Sequence, residues 1–148
     1  MGDWQRYEPD YEKDRDEAVA WARGVLAQPD VIILDTETTG LHEDAEIVQI
    51  AVLDAATGNT LLDTLVRPST PIPPDASLIH GIGDEHVMAA PIWSEVYPRV
   101  AELLKAATLV VIYNAEFDER MIWQTCQAYD LPMPELKPDA RWSCAMRW

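Results

Sequence analysis

Apolar residues recur along the chain with two periods, and the change from one to the other predicts the elements. Ala18, Val19, Ala22, Val25 and Leu26 fall at helical spacing, which predicts a helix from Asp14 to Ala27 ended by Pro29. VIILDT at 31–36 is short, continuous and β-branched, and reads as a strand buried on both faces. EIVQIAVLDA, 46–55, reads as a second strand, Gly58 and Asn59 supply a turn, and TLLDTLVRP, 60–68, returns as a third. These three make an antiparallel meander. The four prolines of PSTPIPPDAS, 68–77, predict an irregular loop, and LIHGIGDEHVMAAP a short helix and turn. Trp93, Val96, Tyr97, Val100, Leu103 and Leu104 then form one apolar stripe, predicting an amphipathic helix over 92–106. TLVVIYN, 108–114, is a further buried strand. Asn114 is placed to N-cap a helix over 115–129, with Glu116 in its first turn. LPMPELKP breaks the chain again, and ARWSCAMRW, 140–148, begins another element. The order predicts an α/β domain at 31–148, a mixed sheet flanked by helices, preceded by a helical extension at 1–30.

Composition narrows this picture. At 148 residues and 48% apolar content the chain has the size of one domain with a real core. No run approaches the roughly 20 apolar residues of a membrane span, and the polar, acidic N-terminus is unlike a signal peptide. Cys126 and Cys144 are too few for a disulfide framework, so a reducing cytoplasm is expected. The formal charge of −15, from 26 acidic against 11 basic residues, argues against a general nucleic-acid binder. Surface carboxylates that only confer solubility explain it, and so do carboxylates that hold divalent cations and reverse the local sign.

The motifs choose between these. In VIILDTETTG the residues i and i+2 of a strand share a face, so Asp35 and Glu37 project together from a strand's C-terminal end. Ligands of open α/β sheets bind at that end. Two neighbouring carboxylates repel, and burial disfavours their charged forms further, so a cation between them relieves the cost. Oxygen-only ligands favour Mg²⁺ or Mn²⁺. A bare D-x-E is also compatible with a solvated strand end or a helix cap.

The full DTETTG, followed by Leu41, resembles the first motif of the DnaQ-like, or DEDD, 3′–5′ exonucleases. Asn114-Ala115-Glu116-Phe117-Asp118 resembles the helix-opening second motif, in its expected place after a strand. His80-Gly81-Ile82 resembles the HGI segment near the substrate cleft, and EIVQIA the second strand. The resemblance spans about 31–129 and implies a ribonuclease-H-like fold. It also implies two-metal phosphodiester hydrolysis from the 3′ end of single-stranded DNA or short RNA, with two Mg²⁺ or Mn²⁺. Asp35, Glu37 and Asp118 would be the metal ligands and catalytic carboxylates. Thr38, Gly40 and Leu41 would meet the terminal nucleotide. His80, Ile82 and Asn114 are cleft or structural residues, and Phe117 either stacks on a base or joins the core. His42 and His86 read as surface histidines, Trp93 and Trp123 as core. A polymerase or another DNA-processing protein is a partner the resemblance allows; a membrane is not.

The chain also departs from the family. Its fourth carboxylate and general base come from a C-terminal helix carrying His-x(4)-Asp, or Tyr-x(3)-Asp in the sister branch, and neither follows Asp118. The expectation is a domain lacking its C-terminal helices, weak or inactive alone, from a parent protein that is an exonuclease. Tyr113 stands where many relatives place His. The alternative is an inactive nucleic-acid- or protein-binding module on the same fold.

Overall fold

The computed structural model describes residues 9–148. The first helix, α1 (Tyr11–Leu26), starts three residues before the expected position because Asp10 caps it, its side chain accepting from the Lys13 N–H. The chain continues through β1 (Val31–Thr38), β2 (Ile47–Asp54), β3 (Thr60–Leu65), α2 (Pro74–His80), α3 (Asp84–Val87), α4 (Trp93–Ala106), β4 (Leu109–Ile112), α5 (Ala115–Ala128) and β5 (Arg141–Cys144). A single 3-10 turn, Ala145–Arg147, follows β5. The five strands form one sheet in the order β3-β2-β1-β4-β5. The meander β1-β2-β3 is antiparallel, whereas β4 and β5 run parallel to β1. This is the expected α/β mixed sheet. Among the described residues no helix is long and apolar enough to cross a membrane.

Strand alternation sorts β1 between two layers. Ile32 and Leu34 join the main core beneath α4 and α5, with Ile47, Ile50, Val52, Trp93, Val100, Leu104, Met121 and Ile122. Val31, on the other face, packs with Leu109 and Val111 against Val25 and Trp21 of α1. The N-terminal helix therefore covers only the start of that face. Beyond it Ile33 is 40% exposed and Asp35 is exposed, so β1 is not buried on both faces along its length. The apolar run predicted a sandwiched strand, but only its first residues lie under a helix.

Three further expectations change. Helix α2 begins at Pro74, inside the segment read as loop, because Pro73 and Pro74 occupy the N-cap and N1 positions that tolerate proline. Asn114 holds the N-cap position of α5, but its side chain makes no capping hydrogen bond. Trp123 is 48% exposed rather than core, since it lies off the α5 face that carries Met121, Ile122 and Cys126. Trp93, by contrast, is completely buried.

A buried carboxylate that the sequence did not flag ties down the proline-rich loop. Glu46, only 3% exposed, accepts from the Ser69 N–H at 3.1 and 3.0 Å and from the Ser69 hydroxyl at 2.7 Å. A charge taken out of water needs such partners. They hold the loop that leads into α2 against the sheet.

Candidate active site

The site forms where β1 runs past its parallel neighbour. Pairing of β1 with β4 covers only Val31 to Ile33, because the chain leaves β4 and turns into α5. The edge of β1 beyond Ile33 would otherwise carry unpaired backbone groups. Asp118, in the first turn of α5, fills that place: its Oδ1 accepts from the Thr36 N–H at 3.0 Å and the Thr36 hydroxyl at 2.7 Å. Both residues are buried. Thr36 points towards the α5 side of the sheet, Asp35 and Glu37 towards the other. Asp118 thus meets β1 from the opposite layer, at an edge that β4 leaves free, and the charge of Asp35 acts on it from across the strand.

The electrostatics of the three carboxylates follow from this packing. Burial pushes Asp118 up to about 6; the Thr36 hydroxyl works against that rise, and the charge of Asp35 adds to it. Glu37 is raised as well, first by burial and then by Asp35, with His80 opposing. The described ion pairs include none of Asp35, Glu37 and Asp118, so no Lys or Arg neutralises them. Mutually repelling, all-oxygen carboxylates without a cation fit a hard divalent ion. Among the described residues no three His, Cys, Asp or Glu side chains gather closely enough to hold a metal ion as they stand.

Beside the carboxylates lies a cleft of about 490 Å³, lined by Glu37, Thr38, Gly40, Leu41, His42, Pro73, Ala76, Ile79, His80 and Phe117 among others. The Thr38 hydroxyl donates to the Gly40 carbonyl at 2.8 Å and shapes the loop after β1. His80 bridges α2 to that loop. Its Nδ1 accepts from the Ile82 N–H at 3.1 Å, which leaves the ring proton on Nε2 to donate to the Thr38 carbonyl at 3.0 Å. This assignment comes from the donors available. It makes His80 a fastening with both ring nitrogens engaged.

Of the residues named from sequence, Thr38, Gly40, Leu41, His80 and Phe117 meet at this cleft with Glu37. Ile82 does not: it is 8% exposed and packs under α2 with Val48, Ile72, Ala76 and Val87. Asn114 lines a neighbouring depression with Glu116, Phe117 and Arg120. His42 is exposed but also lines the cleft, and its ring lies 3.0 Å from where a Cβ on Gly40 would stand. A side chain at 40 would have to push the exposed His42 ring aside. Sequence reasoning missed Ile79, 85% exposed on the cleft rim, and Arg120. The Arg120 guanidinium lies 5.7 Å from the centre of the Phe117 ring and donates to the Leu41 carbonyl at 3.4 Å. An exposed Ile on a short helix facing DTETTG was the available signal for the first; nothing in the sequence marked the second.

The comparison with protein families decides what this arrangement belongs to. The family model described as Exonuclease (RNase T) matches residues 32–145. The chain is a member of the RNase T exonuclease family. It is 51% identical over 104 residues to the uncharacterized exonuclease CP81 of Escherichia phage 186, covering 70% of this chain and 53% of that protein. It is 34% identical over 97 residues to the DNA polymerase III epsilon subunit of Escherichia coli K12, covering 59% of this chain and 39% of the subunit. Among solved structures, exonuclease X in complex with 5′-overhanging duplex DNA superposes with a TM-score of 0.56 at 34% identity, over 77% of this chain and 58% of the other. Exonuclease I with a dT13 oligonucleotide, at a TM-score of 0.65 and 20% identity over 77% and 27% of the two chains, shares the fold. The chain thus spans about half the length of the phage relative. Within the RNase T exonuclease family, the ribonuclease-H-like sheet expected from the motifs is the sheet observed.

Proposed function

We propose that this chain carries the site of a metal-dependent 3′–5′ exonuclease that acts on single-stranded DNA or short RNA, with Asp35, Glu37 and Asp118 holding two Mg²⁺ or Mn²⁺. The observation that carries this reading is the arrival of Asp118 at the edge of the strand that bears Asp35 and Glu37. When bound, the divalent cations supply an activated water and neutralise charge at the scissile phosphate.

The protein's own residues do the positioning. Asp35 and Glu37, on one strand face, present their oxygens together, and Asp118 adds an oxygen from the second layer. Leu41 and Ile79 form apolar walls for a terminal base, and the Phe117 ring supports the same cleft from α5. His80 holds α2 against the Thr38 carbonyl, so the cleft keeps its width. The Arg120 cation in the neighbouring depression, beside Phe117, offsets locally the charge of −15 that would repel a polynucleotide. Gripping only a few 3′-terminal nucleotides requires no long basic track. The epsilon-subunit relatives make a polymerase the class of partner this reading favours. Neither His-x(4)-Asp nor Tyr-x(3)-Asp, the motifs that carry the family's general base and fourth carboxylate, occurs after Asp118 in this sequence.

The test is digestion of 5′-labelled single-stranded DNA and RNA in Mg²⁺ and in Mn²⁺, using the protein expressed from its full gene and its Asp35→Ala variant. Stepwise shortening from the 3′ end that disappears in Asp35→Ala supports the proposal, and the polymer preferred names the substrate. No shortening of either polymer in either metal favours the inactive binding module.

A further inference from the structure

The residue between Asp35 and Glu37 faces away from them, which asks why a hydroxyl should be buried there. We propose that Thr36 is a positioning residue that fixes the Asp118 carboxylate by occupying one of its two oxygens, so that the other alone is presented to the metal.

The hydroxyl and backbone N–H of Thr36 converge on the same atom, Asp118 Oδ1, at 2.7 and 3.0 Å, from a partner 82 residues away in the chain. Two donors on one oxygen, in a buried setting, fix both the rotamer and the rotation of the carboxylate. A backbone donor alone would hold the oxygen at one point and let the group turn about it; the hydroxyl removes that freedom. With both Thr36 donors on Oδ1, the lone pairs of that oxygen are engaged and Oδ2 is the oxygen left for an ion. The arrangement also answers a steric problem. Asp118 comes from the layer below the sheet, while Asp35 and Glu37 lie above it. A side chain as short as Asp meets them only if it is held at the strand edge. Thr36 lies on the correct face to do this because its neighbours lie on the other. The residue type, and not only its position, therefore matters: valine would fill the same volume without donating.

The inference rests on the reading of Asp118 as a metal ligand, and its test separates the two. Mn²⁺ is titrated into the protein expressed from its full gene and the free ion is counted by electron paramagnetic resonance. The same is done with Thr36→Val, Thr36→Ser, Asp118→Asn and the Thr36→Val/Asp118→Asn double variant. Partners of metal ligands set affinity by about 10- to 100-fold. Thr36→Val is expected to weaken Mn²⁺ binding by about 10-fold, with Thr36→Ser staying within about 2-fold of the parent, since serine keeps the donor. The double variant is expected to bind no more weakly than Asp118→Asn alone, because the hydroxyl acts only through that carboxylate. Parent-like binding by Thr36→Val, or losses in the double variant that multiply, would overturn the inference while leaving Asp118 as a ligand. If Asp118→Asn binds Mn²⁺ like the parent, both fall. Should Thr36→Val unfold, judged by its melting curve, the serine variant decides: weakening by about 10-fold there, despite the retained hydroxyl, refutes the mechanism.

Discussion

Asp118→Asn should stabilise the metal-free protein at neutral pH. The carboxyl is raised from 3.8 to about 6, chiefly by burial, so the folded state binds its proton more tightly than the unfolded chain does. The folded state therefore loses stability as pH rises from about 4 through 6, and the full penalty is present above that. At about 1.4 kcal/mol per pH unit, the interval from 3.8 to about 6 corresponds to a penalty of about 3 kcal/mol. Asp118 is only 4% exposed, so solvent screening takes little from this figure. Asparagine keeps an oxygen for the two Thr36 donors and removes the buried charge. For a domain of this size, about 2–4 °C per kcal/mol makes the expected rise in melting temperature roughly 6–12 °C. The assay is thermal unfolding in EDTA at pH 7.5 and at pH 4, followed by circular dichroism. The gain should be large at the higher pH and should vanish at the lower, where the aspartate is largely protonated in the native protein. Adding Mg²⁺ should raise the parent's melting point and leave the variant behind, because the ion is expected to take over the neutralising role. A gain equal at both pH values, or a loss at pH 7.5, would refute the assignment of the cost to the buried charge.

Three other outcomes follow from named contacts. Glu46→Ala should cost about 2 kcal/mol in urea unfolding, because it removes the buried carboxylate whose charge-assisted hydrogen bonds to Ser69 hold the proline-rich loop. Arg120→Ala should raise KM for a single-stranded oligonucleotide with little change in kcat. It should also reduce the slope of log KM against log salt by about 0.7, the share of one phosphate on a single strand, as steady-state kinetics across salt concentrations would show. Ile79→Ser, on the cleft rim, should raise KM by roughly 10-fold or less with an unchanged melting temperature, since the side chain is 85% exposed and supports no core.

Periodicity made much of the fold legible. The stripe from Trp93 to Leu104 and the meander could be read because helix and strand periods are local properties of neighbouring residues. Trp123 and the strand VIILDT were misjudged for one reason: apolar character says that a side chain can be buried, while coverage depends on which layer reaches it. Helix α1 reaches Val31 and stops short of Ile33. The resemblance of His80-Gly81-Ile82 to the HGI segment left Ile82 a cleft or structural residue; the turn at Gly81, with φ of 74°, sends His80 to the cleft and Ile82 into the small core.

The sequence by itself determined that Asp35 and Glu37 share a face, because a strand alternates whatever surrounds it, and that Asp118 opens a helix after a buried strand. Tertiary structure alone decided that Asp118 lies against Thr36 across 82 residues and that β4 ends soon enough to leave the edge free. It also decided that His80 is tied at both nitrogens and that Arg120 rests on Phe117. These are contacts between layers. Their geometry is set by where the sheet stops and the helices dock, and no local period encodes it.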